Sequence, residues 1–433
     1  MEPLYASNSK GDKCHESKIF STLRVLSHTE EDNEYNQSVN RHNIHISSIS
    51  SDEYHLKWAE GDILHNAFEL VSVLGRGTFS QVLLANMIGP CSDDCKQVAI
   101  KIVRNNEKFR IHSFVEHNIL MSLWLKTLHL DVADSLCEYY GSFQHHGHYC
   151  FVFPTYGHSL FELCRLNGYK PLLLQHIRPI ARQMLEALAF LHKQQIVHGD
   201  IKRENIIFQS ADYVLKDGYF PHLKDSCNCC RCRPTLYQDI KLKMASKKTN
   251  STKNSPLKEY RMPVNTHVRL IDFGNVKYLQ LPPDGIVQSL SYRAPEVLLG
   301  IGWDTGSDIW ALACSLLECF STDASFHFVC KTDIDCLQVM YKLLGPLPDS
   351  MLNAPLRHID HASTLRHAQL EQKNSVYNAN SIKSSFSTFD FDVFIQLKKA
   401  CPHLHDLLMK MFVLNPQDRI SASQALGHPY FVE

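Results

Sequence analysis

One stretch constrains this chain more than any other: Val197-His198-Gly199-Asp200-Ile201-Lys202-Arg203-Glu204-Asn205-Ile206-Ile207-Phe208. Asp200, Lys202 and Asn205 stand between two apolar, strand-like runs, the arrangement that a short loop needs to aim three polar side chains into one cleft. Taken alone, H-x-D-x-K-x-x-N also suits an ordinary polar loop. Its weight comes from the segments around it.

Upstream, Phe68 to Leu74 alternates as a half-buried strand. It runs into a glycine loop made of Leu74, Gly75, Arg76, Gly77, Thr78, Phe79, Ser80, Gln81 and Val82. Gly75 and Gly77 let a backbone approach phosphates closely, and Phe79 can cap the turn. In the next strand, Gln97 to Val103, Lys101 follows Ala99 and Ile100 among β-branched residues. A buried lysine needs a partner, and Glu116, in the amphipathic segment from Phe109 to about Leu125, offers one. The alternative is a lysine snorkelling from an edge strand. Tyr149 to Phe153 then leads to Pro154-Thr155-Tyr156-Gly157, a candidate hinge in which the Pro154 carbonyl and the Tyr156 amide supply an acceptor and a donor for an adenine. Leu174 to Gln195 has helical spacing, with Pro179 requiring either a start near residue 177 or a kink.

Downstream, the apolar run Val268-Arg269-Leu270-Ile271 delivers Asp272-Phe273-Gly274, and Ala294-Pro295-Glu296 follows 20 residues later. Ser289 lies seven residues before Glu296, where a small hydroxyl can bridge Asp200 and Lys202. Asp308 opens a strongly apolar helix and is expected to hold the backbone of the Asp200 loop. Arg419 is the natural buried partner of Glu296.

Composition bounds the rest. With 433 residues, 44% hydrophobic and 21% charged, the chain has enough apolar residues for a large two-lobed domain with extensions. A net charge of −1 gives no reason to expect nucleic acid or a membrane surface as a partner. The N-terminus lacks the regions of a signal peptide, so the expectation is a soluble intracellular protein. Its 15 cysteines, scattered through apparent core segments, suit free thiols in a reducing compartment. Residues 1–60 show no sustained period and are expected to be a disordered tail. Residues 209–266 form an insertion whose middle, from Lys224 to Arg261, holds ten Lys/Arg against three Asp/Glu and is expected to be a mobile surface loop. Within it, Cys227, Cys229, Cys230 and Cys232 are open to three readings: exposed thiols without ligand, metal or redox chemistry, or a lipidation or partner site.

Glycine loop, lysine, glutamate, H-x-D-x-K-x-x-N, D-F-G and A-P-E occur in one order over roughly residues 64 to 431, so the chain resembles the eukaryotic protein kinases. The resemblance implies an α+β bilobal fold: a small antiparallel N-lobe sheet with one main helix over residues 61–157, and a larger, mainly helical C-lobe over residues 158–433. It implies ATP and Mg2+ as cofactors. By the same resemblance Asp200 accepts the proton of the attacking hydroxyl, Lys202 neutralises the moving phosphoryl group, and Asn205 and Asp272 hold magnesium. Lys101, held by Glu116, meets the α- and β-phosphates, and Ser289 bridges Asp200 and Lys202. The nucleotide-binding positions are Leu74 through Val82, Ala99, Lys101, Pro154, Tyr156, Ile207 and Asp272. Ser289 and Lys202 together point to serine/threonine acceptors.

Finer features narrow the resemblance. Tyr292-Arg293-Ala294-Pro295-Glu296 carries the arginine typical of the CMGC group, and Gln144 to His148, Ser210 to Tyr213, Leu344 to Pro348 and Gly302-Trp303 resemble the CDC-like (LAMMER) kinases. Such a kinase acts on protein substrates, here Arg/Ser-rich splicing factors, with tyrosine autophosphorylation an option, works as a monomer, and resides in the nucleus or cytoplasm. In place of that family's signature helix ending in M-M-E-R stands Asp335 to Lys342, and no Arg-Ser dipeptide occurs in the tail. Two other readings stay open: an SR-protein-specific or DYRK-like enzyme of the same group, and a pseudokinase scaffold. Gly199 stands where many kinases carry a phosphate-receiving arginine, and Tyr278 is the only hydroxyl from Asn275 to Gln288. The expectation is an enzyme competent without activation-loop phosphorylation; the alternative is that glycine only relieves crowding.

Overall fold

The computed structural model describes residues 54–77, 79–88, 97–127, 134–217, 259–280, 285–320, 332–356 and 392–431. Thr78, residues 1–53 and the cysteines from Cys227 to Cys232 lie outside the described residues. The chain divides into two compact units, one within Met1–Ala133 and Cys137–Thr155, the other within Asp134–Leu136 and Tyr156–Glu433.

The first unit is a six-stranded antiparallel sheet with one long helix. Its strands are β1 (Ile63–Leu64), β2 (Phe68–Arg76), β3 (Ser80–Met87), β4 (Gln97–Val103), β5 (Gly141–His145) and β6 (His148–Pro154), in the order β1-β2-β3-β4-β6-β5. Successive side chains of a strand point to opposite faces. In β4 this turns Val98, Ile100 and Ile102 into one core with Leu70, Leu83 and Phe143 and leaves Lys101 on the other face. That other face receives helix α1 (Glu107–Thr127). The helix is less amphipathic than its spacing implies, since Phe114, Val115 and Leu125 are exposed on it.

The expected tail ends earlier than residue 60. Leu56 and Trp58 pack against the sheet core, the Leu56 carbonyl accepts from Gln81 Nε2 at 2.9 Å, and the Tyr54 carbonyl accepts from the Asn105 amide at 3.1 Å. Two apolar side chains and a few backbone bonds are enough to order a stretch whose composition reads as tail.

The second unit is mainly helical. It contains α2 (Leu160–Leu166), α3 (Leu174–Lys193), α4 (Pro295–Leu298), α5 (Thr305–Phe320), α6 (Asp333–Leu344), α7 (Asp349–Leu352), α8 (Asp392–Ala400), α9 (Pro402–Met411) and α10 (Ala422–Leu426). α3 starts at Leu174 and runs through Pro179, ahead of the start near residue 177 that the proline suggested; only the bond from residue 179 to the Gln175 carbonyl is forfeited. α5 is buried on every side from Ser307 to Cys319, so it forms the axis of the unit. Short strands β7 (Ile196–Val197), β8 (Ile206–Phe208), β11 (Val268–Leu270) and β12 (Lys277–Tyr278) pair as β7 with β12 and β8 with β11.

Of the insertion over 209–266, the loop expected from Lys224 to Arg261 lies outside the described residues up to 258 and is strand from Glu259. The two ends of the insertion form an antiparallel ribbon, β9 (Tyr213–Asp217) with β10 (Glu259–Pro263), in which Tyr213 faces Pro263 and Asp217 faces Glu259. Tyr260 is 3% exposed and its hydroxyl donates to the Pro171 carbonyl at 3.0 Å, while Asn167 bonds both the amide and the carbonyl of Arg261. Paired backbone and one buried aromatic hold the base of the insertion to the helical unit.

Candidate active site

In the first unit, Lys101 Nζ stands 2.7 Å from Glu116 Oε1, with side-chain exposures of 13% and 5%. The ammonium also lies 5.8 Å from the centre of the Phe151 ring. Burial of both charges makes the pair mutually dependent, because either one left alone would be an uncompensated ion in a poorly polarisable setting. The glycine loop sits on the β2–β3 hairpin, where the Gly77 amide donates to the Ser80 carbonyl at 2.8 Å. A Cβ on Gly75 would meet nothing within 4 Å, so the backbone there faces open space. Phe79 is 52% exposed and stacks edge-on against Phe109 at 5.3 Å. Gln81 turns its side chain away from that space, into the core toward Leu56. Ala99 pairs with Phe153, and Pro154 closes β6 opposite Val98.

In the second unit the Asp200 stretch is held from several directions. The Asp308 carboxylate accepts from the His198 amide at 2.9 Å and the Gly199 amide at 3.0 Å, which fixes the backbone just before Asp200. The Asp200 amide donates to His198 Nδ1, so the imidazole proton is on Nε2, which donates to the Ile271 carbonyl at 3.1 Å. Phe273 packs edge-on against the same imidazole at 5.2 Å. Through His198 the loop is therefore tied to the Asp272 segment, and the β8–β11 pairing of Ile207 with Arg269 repeats that tie. Asp272 itself adopts the left-handed conformation, φ 65°, at the head of the turn Phe273–Asn275. Tyr156, also of this unit, has its ring 5.7 Å from the Arg269 guanidinium.

The polar cluster closes on Asp200. Lys202 Nζ lies 2.6 Å from Asp200 Oδ2, Ser289 Oγ donates to Oδ1 at 2.9 Å, and Lys202 Nζ donates to Ser289 Oγ at 3.2 Å. Asn205 Nδ2 donates to the Asp200 carbonyl at 2.9 Å. One carboxylate, one ammonium, one hydroxyl and one amide thus form a closed, largely buried set. Gly199 explains its own presence: its φ is 75°, and a Cβ would stand 2.8 Å from the Asn275 carbonyl oxygen.

Glu296 and Arg419 meet in a two-pronged ion pair, at 2.7 Å and 2.8 Å, with Arg419 also donating to the carbonyls of Gly306, Val413 and Leu414. Gln288 was not singled out by any motif, yet it is 6% exposed in the left-handed conformation, φ 70°. Its side chain donates to the Ser307 carbonyl and accepts from the Ala294 amide, and its carbonyl accepts from Arg293 at 3.0 Å. Arg293 is also ion-paired with Asp333 at 2.8 Å. A glutamine in an apolar run was the one signal available. Among the described residues no group of three or more His, Cys, Asp or Glu could hold a metal ion, and no helix is long and apolar enough to cross a membrane.

The protein kinase domain family matches residues 68–221 and 237–431. A probable serine/threonine-protein kinase clkA of Dictyostelium discoideum is 31% identical over 92% of this chain and 39% of its own length. The serine/threonine-protein kinase AFC1 of Arabidopsis thaliana is 30% identical over 87% of this chain and 73% of its own length. The human dual specificity protein kinase CLK1 is 28% identical over 89% of this chain and 70% of its own length. The chain thus spans less than half of the Dictyostelium relative and about three quarters of the Arabidopsis one. Among solved structures, the PF14_0431 kinase domain superposes with a TM-score of 0.64 at 24% identity, covering 88% of this chain and 99% of that one. Sheet, helical unit, motif order and relatives agree: the chain belongs to the protein kinase family, as a CDC-like member of its CMGC group.

Proposed function

We propose that this chain transfers the terminal phosphoryl group of ATP to serine and threonine hydroxyls of protein substrates, with Arg/Ser-rich splicing factors as the substrate class. The carrying observation is the Asp200 carboxylate, oriented by Lys202 on one oxygen and Ser289 on the other. Such a carboxylate accepts the proton of an attacking hydroxyl, and the Lys202 ammonium beside it offsets the charge of the moving group. The donor set also suits a divalent cation. Asn205 commits its amide nitrogen to Asp200, which leaves Oδ1, a hard oxygen, for a metal, with the Asp272 carboxylate as the second ligand. When bound, magnesium neutralises charge on the phosphate oxygens. Lys101, kept in place by Glu116, is the residue for the α- and β-phosphates.

The closed Asp200 set together with the retained Lys101–Glu116 pair supports catalysis over a scaffold role. Family resemblance supports the nucleus, ahead of the cytoplasm, as the place where this protein works. The test is phosphate transfer from ATP to an Arg/Ser-repeat peptide beside a proline-directed peptide. Preference for the first supports the reading; preference for the second selects a different branch of the group, and no transfer to either with bound nucleotide selects the scaffold.

A further inference from the structure

α5 carries four buried polar side chains, and the function above uses only some of them. Ser307, Asp308 and Ser315 have local or loop partners. The fourth, Glu318, is 2% exposed at its side chain and faces Arg203, 5% exposed, with Nε 2.7 Å from Oε2. The same Oε2 accepts from the Tyr292 hydroxyl at 2.6 Å. The Arg203 Nε–H is not aimed straight along its contact, so the attraction is electrostatic rather than a directed hydrogen bond. The guanidinium is packed 5.7 Å from the Phe161 ring, with the Cys164 and Cys319 thiols nearby.

Three segments meet at that carboxylate. Arg203 opens the turn Arg203–Asn205, whose far end is Asn205 with its amide on the Asp200 carbonyl. Tyr292 closes the turn Leu290–Tyr292, which follows directly on Ser289. Glu318 belongs to α5, the same helix whose Asp308 holds the His198 and Gly199 amides. The Asp200 loop and the Ser289 segment are therefore joined twice. One joint is the polar set of Asp200, Lys202 and Ser289; the other lies beneath it and touches none of the reacting groups.

We propose that Arg203 is a positioning residue: its ion pair with Glu318, shared with Tyr292, sets the separation of the Asp200 loop from the Ser289 segment and so the geometry of Asp200, Lys202 and Asn205. Burial works against the guanidinium charge, and Glu318 together with Cys319, Tyr292 and Cys164 more than offsets it, so the charge persists. Burial also raises the Tyr292 phenol, with Glu318 adding to the rise, so Tyr292 stays protonated and keeps donating. A buried pair of this kind adds little net stability over apolar side chains of similar volume, so removing both charges at once separates its geometric role from its energetic one. A displacement of about 1 Å in groups that handle a proton and a phosphoryl oxygen can cost about a hundredfold in rate.

The proposal rests on the kinase reading, and its test has one arm that does not. The double variant Arg203→Met/Glu318→Leu is compared with the parent by thermal melting, by steady-state kinetics and by amide hydrogen exchange over residues 199–206 and 288–293. Expected are a melting point lowered by no more than the one hydrogen bond that Tyr292 loses, an unchanged KM for ATP, a kcat of the folded enzyme lower by about tenfold, and faster exchange confined to those two segments. Parental exchange and kcat, or a loss of kcat that follows the unfolded fraction, overturn it. If the parent itself transfers no phosphate, the kinase reading fails while the exchange arm still decides the positioning role. If the double variant does not fold, Arg203→Met/Glu318→Gln, which removes both charges and keeps an acceptor for the Tyr292 hydroxyl, carries the same measurements with the same outcomes.

Discussion

The Ser289 hydroxyl donates to Asp200 Oδ1 at 2.9 Å, through the oxygen that Lys202 does not hold. The carboxylate is thereby fixed at both oxygens with no torsional freedom left to it. Asp200→Asn removes the base while keeping shape, so kcat should fall by about a hundredfold or more with little change in melting point. Ser289→Ala removes one donor to a charged group and should cost about tenfold. Peptide phosphorylation at saturating ATP measures both, and near-parental turnover of the Asn variant would reject Asp200 as the base.

Lys101→Met should lower kcat and raise the KM for ATP together, because the ammonium is proposed to meet phosphates in both ground and transition states. Glu116→Gln should produce a milder version of the same pattern, since it loosens Lys101 without removing it. ATP titrations in the peptide assay read both effects. A Met variant with an unaltered KM would detach Lys101 from the nucleotide.

The Glu296–Arg419 pair is structural. Arg419→Leu strands a 2%-exposed carboxylate and five lost donor contacts, and should destabilise the chain by about 3–5 kcal/mol in urea unfolding. Residual activity per folded molecule should stay near that of the parent.

A pH dependence follows from the β5–β6 hairpin. Burial, with His146, His65 and His148 nearby, lowers the His145 pKa to about 4, and burial also lowers His148 and His117. A histidine depressed in the folded state binds its proton more readily when unfolded, so folded stability rises with pH. The contribution is complete above about pH 6.5 and is lost as the pH falls from there toward 4. Since His145 is only half-buried, solvent moderates the size of the effect. His145→Gln should flatten the melting-point profile over that window; an unchanged slope would remove His145 as a contributor.

Replacing residues 218–258 by a two-residue Asn-Gly turn should preserve folding and phosphate transfer, because Asp217 and Glu259 already face each other across the ribbon. Extending the deletion through Tyr260 should not be tolerated, as it removes a side chain 3% exposed. Zinc retained at one equivalent by the full chain and absent from the shortened one would assign metal chemistry to the cysteines from Cys227 to Cys232.

Pairings between residues that stand in recognisable motifs were readable from the sequence. Lys101 with Glu116, Ser289 with Asp200 and Glu296 with Arg419 each join a charged or hydroxyl residue to the one partner that an apolar setting demands. Arg203 was not readable in this way. It sits beside Lys202 and Glu204 and looks like one more solvated charge, and its partner Glu318 lies in a distant helix whose buried side is set only by packing. The ribbon at the base of the insertion was hidden because Tyr213 to Asp217 and Glu259 to Pro263 are short, mixed in polarity and far apart in the chain. The order of residues 54–60 depended on the sheet core that Leu56 and Trp58 join.

Gly199 limits what this loop can become. With φ at 75° and the Asn275 carbonyl 2.8 Å from where a Cβ would stand, any side chain there strains the backbone by about 1–2 kcal/mol and also collides with a neighbouring peptide. Arginine cannot be installed at this position by one codon change without moving the turn at Asn275, which is itself seated by the Asp272 segment. A phosphate-receiving variant of this protein is therefore separated from the present one by at least two coupled changes, one at position 199 and one in the turn that ends at Asn275.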